Sequence, residues 1–261
     1  MTLTKLLIGV AIFALILTTL EKIMGRKLIQ NYFLSFLQNF VGGIFIFSGM
    51  VKAVDPLGTA YKMEQYFAEF ETTFAATKAA FLSPMFPALA EYAIAFSVIM
   101  IVFEILLGIT LLVGAWRKFT AWGFFLLVVL FTFLTGFTYL TGYVPEGVNF
   151  FQFGQWTDFE ATNMKVTDCG CFGDFLKLEP YVSFLKDIFL LIPGLIFLFS
   201  TKSFHQLNKG NERALAIGLS LLLTLLAIYL SGYSLGWRIM AFILVLIAVQ
   251  FFSKNASVVA G

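Results

Sequence analysis

The chain has 261 residues, 60% of them hydrophobic and only 12% charged, with 33 phenylalanines, a net charge of +2 and a mean hydropathy of +0.91. A soluble domain carries about a quarter of its residues as charges, so composition alone places this chain among integral membrane proteins. A charge so near balance gives no reason to expect nucleic acid or a strongly acidic partner.

A spanning helix needs about 20 predominantly apolar residues. Seven segments meet or approach that length: Leu3–Leu20, Tyr32–Val51, Tyr92–Val113, Phe119–Leu140, Val182–Ser200, Ala214–Leu230 and Trp237–Phe252. The expected fold class is therefore an all-α integral membrane protein with about seven transmembrane helices. Lys5 followed by Leu6–Leu20 has the look of a signal peptide, but no small-residue cleavage site follows, so a retained first helix is expected. The last two segments are joined by Ser231-Gly232-Tyr233-Ser234-Leu235-Gly236, a tight-turn composition.

Short-loop lysines and arginines set the orientation. Lys22, Arg26 and Lys27 follow the first segment, Arg117 and Lys118 the third, Lys202, Lys209 and Arg213 the fifth, and Lys254 the seventh. If the segments alternate, all of these share one side, the cytoplasm. The N-terminus then lies outside and the C-terminus inside. The other side carries two long loops, Lys52–Glu91 and Tyr143–Tyr181. In the first, Met63, Tyr66, Phe67, Phe70 and Phe74 recur at helical spacing and predict an amphipathic helix lying on the membrane or over the helices. Ser83-Pro84-Met85-Phe86-Pro87 is expected to end it, and Pro193 to kink the fifth span.

The second long loop holds Asp168-Cys169-Gly170-Cys171-Phe172-Gly173-Asp174, with the chain's two cysteines one residue apart. Cysteines used as apolar filler would fall in the helices. Two thiols this close exchange between dithiol and disulfide, and the short ring strains the bond and makes it more reducible. A loop-bracing disulfide is the structural alternative, but so small a ring removes little entropy from the unfolded chain. A metal site is the second alternative. Zinc and copper sites take three or four protein ligands, and the lone histidine, His205, falls on the cytoplasmic side, so no metal is expected.

Five further residues bear on the question of chemistry. Lys186 and Asp187 open the fifth span soon after the cysteines. As neighbours on a helix they do not make an ideal mutual pair. Asp187 suits the positive end of the helix, or Lys186 stabilises a thiolate while Asp187 passes protons. Glu104 lies deep in the third span, where an ionisable group faces a helical interior or a water-filled cavity. It is either protonated and structural, or a relay or ligand contact. Lys52 and Asp55 stand three apart and are candidate partners for each other. The plainer account has Lys52 snorkelling and Asp55 opening an Asp-Pro turn.

Gly42–Pro56 resembles the opening of the DoxX-like family, Phe103–Gly114 its second helix, and Cys169–Asp174 followed by Phe184-Leu185-Lys186-Asp187 its MauE branch and the related DoxX proteins fused to thioredoxin domains. The resemblance covers roughly residues 32–200. It implies a four-helix membrane core at 28–200, an extra first helix at 1–27 and a C-terminal helical pair at 201–261. MauE-type proteins are linked to disulfide formation in a periplasmic partner, and more distant DoxX relatives to quinone-coupled sulfur oxidation. The resemblance therefore implies Cys169 and Cys171 as a redox pair, a thioredoxin-like exterior partner acting in trans, a quinone as carrier, and residence in the bacterial inner membrane with the cysteines periplasmic. The rival reading is an accessory subunit of a larger membrane or envelope complex, with the extra helices as its interface.

Overall fold

The computed structural model describes residues 2–23, 31–166, 172, 175–206 and seven positions from 216 to 226. The described chain is helical and has no strand among its residues. Its elements are α1 (Leu3–Ile23), α2 (Tyr32–Val54), α3 (Pro56–Ala75), a short α4 (Met85–Ala90), α5 (Ala93–Val113), α6 (Arg117–Thr141) and α7 (Pro180–Phe199). Five of these, α1, α2, α5, α6 and α7, are long and apolar enough to cross a membrane. They coincide with the first five expected spans to within three residues at either end. The sixth expected span lies largely, and the seventh wholly, outside the described residues, as does the turn between them.

Hydrocarbon offers no hydrogen bonds, so a crossing segment must satisfy its backbone within itself, and helices do this. Their exposed residues are correspondingly apolar. Ile8, Ile12, Leu15 and Ile16 line the outward face of α1, and Phe189, Ile192 and Leu195 that of α7. Pro193 lies inside α7, which runs as one helix through it.

The chain divides into two compact units. The first takes residues 1–54, 101–126 and 192–261. Its core sets Leu17 of α1 and Ile46 and Met50 of α2 against Ile101, Ile105 and Ile109 of α5, with Ala216, Leu219 and Leu223 beside them. Small residues permit the close approach of α2 and α5. A methyl group on Gly42 would stand 2.8 Å from the Gly108 carbonyl oxygen, and one on Gly49 would meet Ile105 at 2.6 Å. Lipid gives no hydrophobic drive between helices, so this contact depends on backbone proximity and dispersion.

The loose ends of these helices are closed by polar side chains. The last carbonyls of α5 have no partner in their own helix. Gln38 Nε2 donates to Leu111 O at 3.2 Å, and His205 Nε2 donates to Leu112 O at 2.8 Å. The His205 backbone N–H in turn donates to Gln38 Oε1 at 3.1 Å. Both side chains are fully buried. The turn from α5 to α6 passes through Gly114 at φ +73°, where a Cβ would overlap the His205 carbonyl, so only glycine fits.

The second unit takes residues 55–100 and 127–191. The amphipathic helix expected in the first long loop is α3. Asp55 caps it, its Oδ1 accepting from Gly58 N at 3.1 Å, and Pro56 takes the first helical position. Its apolar stripe buries Tyr66 and Phe70 with Phe86, Phe137 and Val166, and Phe67 and Phe74 pack at the margin. The helix ends at Ala75, before the proline pair, and a single turn at Ala80–Leu82 intervenes. The prolines instead start and occupy α4, with Pro84 at its N-terminal boundary. Tyr66 Oη meets Thr138 Oγ1 at 2.6 Å, and Asn149 Nδ2 donates to Thr73 O at 2.9 Å, tying α3 to α6 and to the second long loop.

Replacing Gly42 by Leu forces α2 and α5 apart and is expected to cost about 1–3 kcal/mol. Gly9→Ala is the control. Nothing lies within 4 Å of the added methyl, so the change should stabilise α1 through helix propensity. Reversible unfolding in bicelles or mixed micelles measures both.

Candidate functional site

Two buried acid–base constellations stand out, one in each unit. In the first unit, Lys52 Nζ lies 2.7 Å from Glu104 Oε2. The two side chains are 4% and 2% exposed, which makes this an ion pair shielded from both lipid and water. It sits at the α2–α5 contact that Gly42, Gly49 and Gly108 permit. Glu104 thus has a counter-charge that sequence reasoning did not assign to it. Lys52 reaches inward to Glu104, 52 positions along the chain, and the Asp55 carboxylate turns to its own helix cap.

In the second unit, the Asp187 carboxylate is 1% exposed. Lys186 Nζ contacts its Oδ1, and Thr135 Oγ1, whose single proton is shared with the Phe131 carbonyl at 2.8 Å, lies 3.0 Å from its Oδ2. The expectation that Lys186 and Asp187 are a poor mutual pair is corrected here. Adjacent helix positions diverge at the Cβ, but the four-carbon lysine stem folds back far enough for its ammonium to meet the neighbouring carboxylate. The same ammonium stands 5.7 Å from the centre of the Phe172 ring, which is itself buried. Phe172 is the covalent neighbour of Cys171. Cys169, Cys171, Asp168 and Asp174 lie outside the described residues. Among the described residues, no three histidine, cysteine, aspartate or glutamate side chains gather as a metal site requires.

The second unit also holds a cluster of aromatic rings. Tyr139 packs on Tyr181 at 5.3 Å and on Phe159 at 5.5 Å, and its hydroxyl meets that of Tyr143 at 2.9 Å. Outside the spans, burial raises the Glu69 carboxyl of α3 above its ordinary 4.5, opposed by the weaker pull of the Lys165 charge.

Sequence reasoning missed Thr135, Gln38 and the role of His205. A hydroxyl in an apolar helix satisfies itself on the preceding turn, so Thr135 carries no outward sign of a carboxylate partner. A polar residue in a spanning helix was the only available signal for Gln38.

These features define a multi-pass helical membrane protein with charged groups buried between its helices. Residues 30–146 match the family model of methylamine utilisation protein MauE, which supports a MauE-like membrane family for this part of the chain. The matched stretch contains both Lys52 and Glu104 and ends before the two cysteines. No curated protein and no solved structure matches the chain.

Glu104→Gln leaves the Lys52 ammonium buried beside a neutral group and is expected to cost about 3–5 kcal/mol. The double variant Lys52→Met, Glu104→Leu should recover most of that loss. A double-mutant cycle by reversible unfolding in bicelles measures both. For Glu69 the folded state holds its proton more tightly than the unfolded state. The contribution of this residue to stability is therefore complete below pH 4.5 and is lost as pH rises through the higher folded value. Glu69→Gln should remove that slope, which a stability–pH profile of the two proteins would detect.

Proposed function

We propose that this protein is a membrane thiol–disulfide redox protein that exchanges electrons between an exterior thioredoxin-like partner and a membrane carrier through Cys169 and Cys171. The observation that carries the reading is the Lys186 constellation. An ammonium lies against Phe172, next in sequence to Cys171, and is joined to a buried carboxylate with a hydroxyl behind it. A nearby cation favours the thiolate, which is the attacking species in exchange. A buried carboxylate accepts or returns the thiol proton.

The exchange balances as follows. One thiolate attacks the partner's disulfide, and the partner's sulfur leaves as a thiolate. The second thiolate then attacks the mixed disulfide, joining Cys169 to Cys171 and releasing the partner as a dithiol. The new disulfide is reset by two electrons and two protons from a membrane carrier, in this reading a quinol that becomes a quinone. The opposite sense, in which a quinone draws electrons from the dithiol and the partner is oxidised, balances equally. The matched family's name ties the process to methylamine utilisation, where the partner or its client would be found.

The fuller architecture belongs to the same proposal. It has seven spans, a DoxX-like four-helix core at 28–200 flanked by 1–27 and 201–261, and the inner membrane of a bacterium as its site. The N-terminus and the cysteine loop lie on the periplasmic side and the C-terminus in the cytoplasm. Asparagine at Asp187 would slow the exchange while leaving partner binding intact.

Thiol trapping in intact cells tests the reading. Cys169 and Cys171 should change state with the redox poise of the growth medium. Cys169→Ser or Cys171→Ser should hold a thioredoxin-fold protein as a reductant-sensitive adduct, and the double serine variant should hold none. Cysteines that stay joined under every condition, with the partner's redox state unaffected by the double variant, would instead assign the pair to loop bracing in an accessory subunit.

A further inference from the structure

The second unit contains a cavity of about 330 Å³. Phe70 and Phe74 of α3, Phe133 and Phe137 of α6, Phe150 of the loop and Phe184 of α7 turn toward it. Among the described residues, the polar side chains in its wall are Thr73 and Thr132. Its volume lies at the small end of the range for small-molecule sites, about 300–1,000 Å³.

We propose that this cavity binds the ring of a lipid-borne quinone. An acyl chain would be served by aliphatic walls. Here most of the lining is phenylalanine, and the rings meet at varied tilts, Phe70 with Phe137 at 5.0 Å and 68°, and Phe137 with Phe150 at 5.0 Å and 40°. Phenyl faces are electron-rich, and an electron-poor planar ring stacks on them favourably. Thr132 donates its own hydroxyl to Val128 O at 2.8 Å, which leaves Thr73 to donate to a ring carbonyl. Phe133 belongs to a membrane-spanning helix and is 55% exposed, so this wall is open to a molecule arriving from the bilayer. Thr135, which lies against Asp187, is next in sequence to the Gly136 of the wall. The class of ring rests on the thiol-redox reading, because a dithiol yields electrons in pairs and a bilayer-soluble pair acceptor is a quinone. The cavity does not rest on that reading.

Trp156 reports on the site. Its ring is 5.3 Å from that of Phe150, and quinones quench tryptophan emission. The full chain in phosphatidylcholine nanodiscs is titrated with menadione, and separately with dodecanoate as a ringless competitor. Menadione should quench saturably, the saturable part should vanish in Trp156→Phe, and dodecanoate should not displace it. Thr132→Phe fills the space and should raise the midpoint about tenfold or more. Thr73→Val keeps the shape, removes one hydrogen bond and should raise it about fivefold. The double Cys169→Ser, Cys171→Ser protein should bind as the wild type does, which separates failure of the site from failure of the thiol chemistry. Non-saturable quenching, an unchanged midpoint in both threonine variants, or displacement by dodecanoate at matching concentration would overturn the assignment.

Discussion

A charge taken into hydrocarbon keeps neither water nor counter-ions, and it persists only where the protein itself supplies an opposite charge at contact distance. The Lys52–Glu104 pair meets that constraint at 2.7 Å, and much of the first unit is arranged so that it can. Two helices must come close enough for one side chain to reach across, and this is possible because Gly42, Gly49 and Gly108 carry no side chain at the contact. The surrounding isoleucines, methionine and leucines then exclude solvent and lipid alike. The same logic explains why Gln38 and His205 are buried at the end of α5, where they satisfy carbonyls that the helix leaves open.

The second buried acid is built differently. Asp187 has its cation from the adjacent position and takes a hydroxyl bond from another helix. Lys186 keeps 13% of its side chain exposed and touches an aromatic ring beside the cysteine motif. A sealed pair holds helices together. A pair with one accessible member, a carboxylate linked onward to a hydroxyl and a ring-lined cavity within the same unit has the parts that proton-coupled chemistry uses. This contrast is why the functional reading centres on Lys186 and Asp187 and treats Lys52 and Glu104 as structural.

The family match bears on the first constellation more than the second. Residues 30–146 contain α2 to α6 complete, and with them the ion pair and its glycines. The matched stretch therefore spans the membrane framework in which the ion pair sits. The proposed thiol chemistry would use residues beyond the matched stretch, and that proposal comes from the residues themselves.

Much of the framework was legible in the chain. Unbroken apolar runs specify spans because the bilayer allows nothing but a helix there, and five were located within three residues. The stripe of Tyr66, Phe70 and Phe74 announced α3, and Asp55-Pro56 announced its start, since caps and amphipathic faces are set by neighbours a few positions apart. The partners of charged residues were not legible. Glu104 meets Lys52 and Asp187 meets Thr135 across 52 positions each, and no local rule relates residues on different helices. Only the packing of α2 on α5 and of α6 on α7 decides which polar groups face each other. In a membrane that choice is strict, because an unpaired group has no solvent to fall back on.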